Sequence, residues 1–286
     1  MEPVRPLEDA ALPQPEEVAF RHTFSTEDIY HMLRHEIMIL ALKPGELISE
    51  NEISERFNVS RTPIRSVIER LRLEGLVTVI PRKGTFVQTI DLDFAEQIIY
   101  MRIQVELGVM LYICRHPSAA LFDRLEENLA QQKELIKNDG IDQSFYRLDS
   151  RFHEMCMAYC QKSKLWQVIQ NMNLHYTRYR HFDYSTSSQF TPVYHTLYRE
   201  HMQLLKLMQN GDEAQLNTAL AVHLYGGFLR IGTRLENECK KYLSESARSV
   251  QDIITDINLF IQDAQRTAAA SAQAPRRKRR TLFADI

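Results

Sequence analysis

The pattern of apolar and polar residues divides the chain into a short mixed segment and a long helical remainder. Between residues 25 and 74, apolar residues recur in three stretches at the spacing of helices that bury one face. Two alternating runs follow, Val77–Ile80 and Thr85–Val87, and these indicate short strands. Beyond residue 92 the helical spacing continues almost to the end of the chain. The fold is therefore predicted to be mainly α.

The mixed segment carries the signals of a winged helix-turn-helix. Ser49, with Glu52 three residues later, predicts a capping box at the start of one helix. Ser60 predicts the cap of the next helix, and Gly75 predicts where that helix stops. The strands meet at the basic sequence Pro-Arg-Lys-Gly, where Gly84 can adopt a positive φ. A helical hairpin with a solvated arginine face is the alternative interpretation.

The remainder of the chain predicts an all-α antiparallel bundle. The sequences His-Pro, Asn-Asp-Gly and Asn-Gly-Asp separate the helices, and Gly226-Gly227 predicts a kink in the last of them. An amphipathic helix over 248–266 is expected either to brace the bundle or to form a dimer interface. The bundle helices are predicted at about 92–115, 118–138, 142–161, 163–182, 194–210 and 212–242.

Composition narrows the class of protein. With 286 residues and 44% hydrophobic content, the chain can form two domains with a sizeable core. No apolar run reaches membrane-spanning length, no signal peptide is present, and the four cysteines form no Cys-x-x-Cys pair. We therefore expect a cytoplasmic protein that does not bind membranes. Because the net charge is −2, any affinity for DNA must come from the placement of arginines rather than from bulk charge.

The most informative polar residues of the bundle are histidines on apolar helix faces. Asp149 and His153 lie one turn apart on the inward side of one helix, and His201 and His223 continue the apolar faces of two later helices. Burying these groups is costly unless something satisfies them. A divalent metal ion would do so, with zinc as the first choice and nickel or another transition metal as alternatives. The other interpretation is that each histidine is simply hydrogen-bonded in the core.

The helix-turn-helix segment resembles a known family. The sequence SENEISERFNVSRTPIRSVIERLRLEGLV, followed by RKGTFV, is similar to the DNA-binding domain of the GntR family of bacterial transcriptional regulators. The resemblance implies that the second helix of the motif enters the major groove and that a basic wing contacts the backbone or the minor groove. Some relatives carry a basic residue at the position of Asn51, so that contact is expected to differ in this chain. The candidate DNA-binding residues are Asn51, Arg61, Thr62, Arg65, Arg82, Lys83 and Gly84.

The histidine pattern resembles a second known domain. An Asp-x3-His sequence, a histidine 48 residues later and another 22 residues beyond it resemble the metal site of the FCD-type effector domain. This domain belongs to the FadR subfamily of GntR regulators. The resemblance implies that small carboxylates complete the coordination of a metal ion. It also implies that the metal ligands are Asp149, His153, His201 and His223.

The same resemblance places an arginine in the first bundle helix, matched in this chain by Arg102. By analogy, Arg102 would bind the carboxylate of the ligand through a charge-assisted hydrogen bond. The alternative is an ordinary ion pair with Glu106, four residues further along the helix.

These expectations describe a ligand-responsive transcriptional regulator and not an enzyme. It would bind a pseudo-palindromic operator in double-stranded DNA as a homodimer and sense a small organic acid through a metal-containing bundle. One alternative is a DNA-binding regulator with a purely structural metal, and another is a metalloenzyme fused to a DNA-binding domain. The predicted divisions are a disordered lead-in at 1–22, the winged domain at 23–90, the effector bundle at 91–245, an amphipathic helix at 246–266 and a disordered basic tail at 267–286.

Overall fold

The structure is a computed structural model that describes residues 24–138, 143–186, 191–238, 240–245 and 248–273. The predicted lead-in at 1–22 and the basic run at 276–280 lie outside these residues. The described elements, in chain order, are α1 Thr26–Met38, β1 Leu47–Ile48, α2 Glu50–Phe57, α3 Arg61–Leu73, β2 Val77–Ile80, β3 Gly84–Val87, α4 Leu92–Arg115, α5 Ala119–Lys137, α6 Gln143–Tyr159, α7 Ser163–Met172, α8 Leu174–Thr186, α9 Thr191–Asn210, α10 Glu213–Glu238, a 3-10 turn Lys240–Tyr242 and α11 Val250–Gln273.

The first six elements form the predicted winged helix-turn-helix. The apolar face of α3 is buried against α1 and α2, and it consists of Ile64, Val67, Ile68 and Leu71. The sheet has the order β1-β3-β2, and both strand pairs are antiparallel. The two predicted strands are present as the antiparallel pair β2 and β3, and the sequence missed only β1. A strand of two residues is too short to show alternation, and its pairing with β3 is made only in the tertiary structure.

The two predicted N-cap residues, Ser49 and Ser60, differ in whether their side chains form a capping hydrogen bond. The Ser49 hydroxyl accepts a hydrogen bond from the Glu52 N–H at 3.3 Å. Ser60 occupies the cap position of α3, but its side chain makes no capping hydrogen bond, so the prediction holds for its position and not for its bond. Gly75 follows α3 with a φ of +75°, as a helix stop requires.

Gly84 is required at the turn of the wing, the β2–β3 hairpin. Its φ is +124°, which L-residues rarely adopt. A Cβ at this position would lie 2.7 Å from Leu47 Cδ1, closer than van der Waals contact allows. The exposed Leu47 side chain can rotate away from this contact, so the positive φ is what requires glycine here. Arg82 and Lys83 beside it are exposed.

The remainder of the chain forms the predicted helical bundle, with one helix more than expected. The predicted helix at 163–182 is two helices, α7 and α8, which meet at Asn173. The Asn173 N–H donates to the Gln170 carbonyl at 3.3 Å, and the Asn173 carbonyl accepts from the Thr177 N–H at 2.8 Å. One helix therefore ends and the next begins without a linker. Since no glycine or proline lies at this point, the sequence carried no strong signal of the break.

The last helix braces the bundle from outside. It packs against α10 and α4 through an apolar face that includes Val250, Ile253 and Ile257. It also continues to Gln273, seven residues past the predicted end at 266. The extension contains consecutive alanines, the residue with the highest helix propensity. Residues 267–273 of the predicted disordered tail are therefore helical.

Two further helices depart from simple expectations. Helix α10 continues through Gly226-Gly227 as one α-helix, so the helix is not broken at the position where the kink was predicted. The glycines also make room for a neighbour, because the Tyr176 hydroxyl would lie 3.3 Å from a Cβ on Gly227. Among the described helices, α4 alone has the length and apolar composition of a membrane span, an exception to the sequence-based expectation. Half of its apolar window is buried inside the bundle, as in the core helix of a globular domain.

We expect the core of the winged domain to depend on α1. Leu33 is 1% exposed and its neighbour Met32 is 36% exposed. Leu33→Ala should lower the free energy of unfolding by about 2–5 kcal/mol, because it removes a buried side chain and leaves a cavity. Met32→Ala is the control and should change it by less than about 0.5 kcal/mol. Urea titration followed by circular dichroism measures both, and equal effects would contradict this packing.

Candidate functional site

The predicted DNA-binding residues all lie on the surface of the winged domain. Arg61, Thr62 and Arg65 are exposed near the start of α3, and Asn51 is exposed on α2. The Arg65 Nε lies 3.2 Å from the Glu50 carboxylate, in an ion pair whose arginine side chain is 69% exposed. Such exposed pairs contribute little stability, so Arg65 can exchange its partner for DNA at small cost.

The other arginines of α3 are held by protein groups. Arg70 pairs with Glu27 at 2.6 Å and stacks over the Tyr30 ring, and Arg72 pairs with Glu69 at 2.7 Å. Arg61 forms no ion pair with another of the described residues. The cationic groups available at the start of α3 and at the wing are therefore few, in keeping with the chain's near-neutral charge.

Four predicted metal ligands meet in the centre of the bundle. Asp149 and His153 project from α6, one turn apart, while His201 comes from α9 and His223 from α10. Each is at most 4% exposed, and their ligating atoms all lie within 4.8 Å of one another. We call these four residues the histidine–aspartate cluster. The structure thus brings together every residue that the sequence predicted for this site.

Each imidazole of the cluster has an acceptor oxygen next to its Nδ1 atom, and for His201 and His223 the contact is a hydrogen bond. His153 Nδ1 lies 2.5 Å from Glu106 Oε2, His201 Nδ1 lies 3.0 Å from Gln132 Oε1, and His223 Nδ1 lies 3.0 Å from Glu200 Oε2. A ligating histidine typically donates its second ring N–H to such an acceptor. The three Nε2 atoms are thereby left to face one another and Asp149.

The protonation of His201 follows from a chain of hydrogen bonds. The Asn128 side-chain amide donates to the Leu148 carbonyl at 3.1 Å, so its oxygen faces Gln132. Gln132 donates its amide to that oxygen at 2.8 Å and turns its own oxygen towards His201. His201 must then donate from Nδ1, which leaves a lone pair on Nε2. That Nε2 atom is buried and has no hydrogen-bond partner.

The donor set fits a divalent metal ion. The Nε2 atoms of His153 and His223 lie 3.1 Å apart, and lone pairs at this distance repel unless a proton or a cation lies between them. Three imidazole nitrogens with one carboxylate oxygen are ligands that zinc, nickel and iron accept. His201 Nε2 lies 3.6 Å from Asp149 Oδ1, too far for a hydrogen bond, and a cation bound at the cluster would give both atoms a partner.

Electrostatics favours the protonation states that bind metal. Burial lowers the pKa of His153 and of His201, which keeps both imidazoles neutral at pH 7. Burial raises the pKa of Asp149, but the positive charge of Arg180 outweighs it and holds that pKa well below its usual range. For Glu106 burial likewise raises the pKa, but the positive charge of Arg102 outweighs it and the pKa is lowered to about 2. Both carboxyl groups are therefore ionised.

Arg102 forms the ion pair that the sequence offered as an alternative. Its Nε donates to Glu106 Oε1 at 2.8 Å, and both side chains are at most 3% exposed. Arg102 thus holds the carboxylate that orients His153. It also lines a cleft next to the cluster, so the ion pair and a ligand contact are compatible.

Several residues of the site were missed from the sequence. Arg180 donates to Asp149 Oδ2 at 3.1 Å, and the sequence did not distinguish whether this residue lines the site or lies on the surface. Gln132 carried a usable signal, because it interrupts the buried face of α5 formed by Leu125, Leu129 and Ile136. Glu200 contacts His223 from a different helix, and no pattern in the sequence predicts this contact.

A cleft of about 400 Å³ lies between α1 of the winged domain and the bundle helices α6, α7 and α8. We call it the interdomain cleft. Asp149, Arg102 and Arg180 line it, and they also line a smaller cavity that His223 borders. The cleft therefore leads to the histidine–aspartate cluster.

Helix α8 joins the cluster to the winged domain. While Arg180 contacts Asp149, Leu174 packs into the core of the winged domain. His175 Nδ1 accepts a hydrogen bond from the Asp91 N–H at 3.1 Å, and Arg178 donates to the Gln88 carbonyl just after β3. One helix thus touches the cluster, the interdomain linker and the end of the wing.

Comparison with known proteins agrees with both halves of the fold. Residues 25–87 match the family described as bacterial regulatory proteins, gntR family, and residues 97–226 match the FCD domain. The HTH-type transcriptional repressor RspR of Escherichia coli K12 is 28% identical over 200 residues, which cover 69% of this chain and 85% of RspR. A Streptomyces ambofaciens HTH-type transcriptional regulator in an unstable DNA locus is 30% identical over 201 residues, covering 70% of this chain and 82% of that protein.

Solved structures share the fold. Escherichia coli McbR/YncC superposes with a TM-score of 0.58 at 18% identity, covering 73% of this chain and 97% of that one. A GntR transcriptional regulator from Rhodococcus sp. RHA1 gives a TM-score of 0.55 at 18% identity, covering 70% and 94%.

The chain is a DNA-binding transcriptional regulator with a winged helix-turn-helix and a helical FCD domain. It belongs to the GntR family of bacterial regulators and is of the FadR subfamily type. Its relatives are transcriptional regulators and not enzymes, which agrees with the expectation and removes the alternative of a fused metalloenzyme.

We expect His175 to make the stability of the chain depend on pH. Burial lowers its pKa from 6.5 to about 4. The unfolded chain therefore binds this proton more readily, so the stability is full above pH 6.5 and declines as the pH falls towards 4. His175→Gln keeps an acceptor for the Asp91 N–H but cannot titrate, and it should flatten this decline by up to about 3 kcal/mol. Urea titrations between pH 7 and 4 test this, with the exposed His31→Gln as control. An unchanged slope in His175→Gln would contradict the assignment.

Proposed function

We propose that this regulator senses a small carboxylate through a metal ion in its bundle and changes its binding to operator DNA in response. The protein would act in the cytoplasm as a homodimer on a pseudo-palindromic operator. Two-fold symmetry is favoured because one recognition helix makes few contacts, and a dimer doubles them over two half-sites.

In the proposed DNA complex, α3 is the recognition helix. Arg61 and Arg65 would donate to base edges, with guanine as the matching base, and Thr62 would lie beside them. Asn51, Arg82, Lys83 and Gly84 would contact the backbone or the minor groove and so position the helix. The exposure of all seven residues on one domain supports this assignment.

In the bundle, Asp149, His153, His201 and His223 would hold a divalent metal ion, with zinc as the first choice. When bound, the ion supplies coordination positions for a carboxylate oxygen. Arg102 and Arg180 would donate to the other oxygens of the ligand. Glu106, Gln132 and Glu200 would keep the three imidazoles in place.

A single observation carries the proposal. Three buried imidazoles each have an acceptor oxygen beside Nδ1, and their Nε2 atoms converge beside Asp149 where an arginine-lined cleft begins. A core with only structural histidines has no need of this arrangement. The cleft gives a small anion access, which a closed structural site would not need.

A purely structural metal is the second candidate, since four protein ligands can complete a tetrahedral site by themselves. Thermal melting against a panel of small organic acids, with and without a chelator, separates the two. An acid present at about 100 times its Kd adds about 2.7 kcal/mol of stability. An acid that raises the midpoint only in the zinc-loaded protein supports sensing. A midpoint that falls on chelation but responds to no acid favours the structural role, and one indifferent to chelation contradicts both.

DNA recognition by α3 can be tested at Arg65. Arg65→Ala should weaken operator binding by about 1–3 kcal/mol with little effect on folding, because the side chain is exposed. Glu50→Gln breaks the same ion pair but keeps the arginine, and it should preserve or strengthen binding. Fluorescence anisotropy on a duplex selected from a random library by the wild-type protein gives the affinities. If both variants bind as the wild type does, α3 is not the recognition helix.

Metal binding can be tested through the residues that orient the imidazoles. Glu106→Gln should lower zinc affinity about 10- to 100-fold, since it weakens the acceptor on His153. Gln132→Met removes the acceptor on His201 without changing charge and should act in the same direction. The exposed Glu134→Gln is the control. Competition against a chromophoric chelator measures the affinity, and unchanged values for both buried variants would refute the proposed site.

A further inference from the structure

The interdomain cleft extends beyond the histidine–aspartate cluster to α1 of the winged domain. Arg34, His35 and Met38 of α1 line it together with residues of α6, α7 and α8. We propose that the effector is an extended acid with two anionic groups, one at the cluster and the other at Arg34. This inference rests on the proposed function, because it takes the first carboxylate to bind at the cluster.

The charge of the cleft favours more than one anionic group. Its lining includes five arginines and only two acidic residues, Asp149 and Glu154. Asp149 faces Arg180 and the cluster, and Glu154 pairs with Arg151 at 2.6 Å. The arginines that line the cleft are Arg34, Arg102, Arg147, Arg151 and Arg180.

The size of the cleft also favours an effector with two anionic groups. Its volume of about 400 Å³ falls in the range of sites that enclose a whole small molecule. A short monocarboxylate held at the cluster would leave the α1 side of the cleft without a contact. A chain with an anionic group at each end would use both walls.

Arg34 has donors to offer such a group. Its Nε binds Glu74 Oε2 at 2.9 Å, and a guanidinium carries five N–H donors. Its side chain is 35% exposed, so the remaining donors can reach an anion from the cleft. Carboxylates commonly bind arginine through two parallel hydrogen bonds.

An anion at Arg34 would act on the recognition helix. Glu74 is the C-cap residue of α3, and it also accepts a hydrogen bond from the Tyr30 hydroxyl of α1. The second anionic group competes with Glu74 for Arg34 and so alters how the end of α3 is held against α1. The effector is thereby coupled to DNA binding by contact with both domains.

Matched pairs of acids test the proposal on the zinc-loaded full-length protein. The pairs are butyrate with succinate, valerate with glutarate and hexanoate with adipate, which differ only in the second carboxylate. Isothermal titration calorimetry should give at least one diacid a Kd about tenfold or more below that of its monoacid. That diacid should also change the affinity for selected operator DNA more than its monoacid does at saturation.

Two variants separate ligand contact from a structural role, since both break the Arg34–Glu74 pair. Arg34→Gln should remove the advantage of the diacid and leave the Kd of the monoacid unchanged. Glu74→Gln keeps the guanidinium and should leave the diacid Kd equal or lower. If both variants weaken diacid binding equally, Arg34 is only structural and the inference is overturned.

The outcomes also distinguish this inference from the proposed function. If monoacids and diacids bind equally well, sensing at the metal stands and the second anionic contact is wrong. If no acid of either kind binds the zinc-loaded protein, the proposed function and this inference both fail.

Discussion

The burial of three imidazoles and a carboxylate is the constraint on which the bundle is organised. Such groups are costly in an apolar core unless each polar atom has a partner. The protein meets the cost on one side of each ring, with Glu106, Gln132 and Glu200 drawn from three helices. The orientation of the Gln132 amide is fixed by Asn128, and the orientation of the Asn128 amide is fixed by a backbone carbonyl, which can only accept a hydrogen bond. The orientation of the rings is therefore built into helices α4, α5 and α9, and only the Nε2 side remains open to a ligand.

The same constraint explains why α8 is central. Arg180 balances the buried charge of Asp149, so α8 is held at the cluster. Six residues earlier, Leu174 belongs to the core of the winged domain. A helix is stiff over two turns. A displacement of Asp149 is therefore transmitted through α8 to the interdomain linker as long as the hydrogen bonds of His175 and Arg178 are kept. The path of direct contacts from the cluster to the winged domain is thus short. Such a path acts as a switch when the protein has two conformations and the ligand favours one of them.

Much of this fold was predictable because its signals are local. The caps, the turn glycines and the helical spacing each depend on a few neighbouring residues, and they indicated the winged domain and the bundle. The histidines could be recognised because imidazoles on apolar faces are unusual. Strand β1, the break at Asn173 and the contact between Glu200 and His223 depend on tertiary packing, which leaves no local pattern. The cleft likewise leaves no local pattern in the sequence, since α1 and the bundle helices line it together only when the two domains are folded.

A winged domain of nearly zero net charge can bind DNA because the arginines at the two ends of α3 have different surroundings. Its first residues carry the exposed Arg61 and Arg65, the latter in a weak ion pair with Glu50, whereas Arg70 towards the other end pairs with Glu27 of α1 and Arg72 pairs with Glu69. The first end is suited to base contacts, and the second end is suited to packing against α1. With a rise of about 1.5 Å per residue, thirteen residues make a rigid rod about 20 Å long. A small tilt at Glu74 would therefore displace Arg61 at the DNA surface. Affinity that rests on a few well-placed arginines is sensitive to such a displacement, whereas affinity from bulk positive charge would not be.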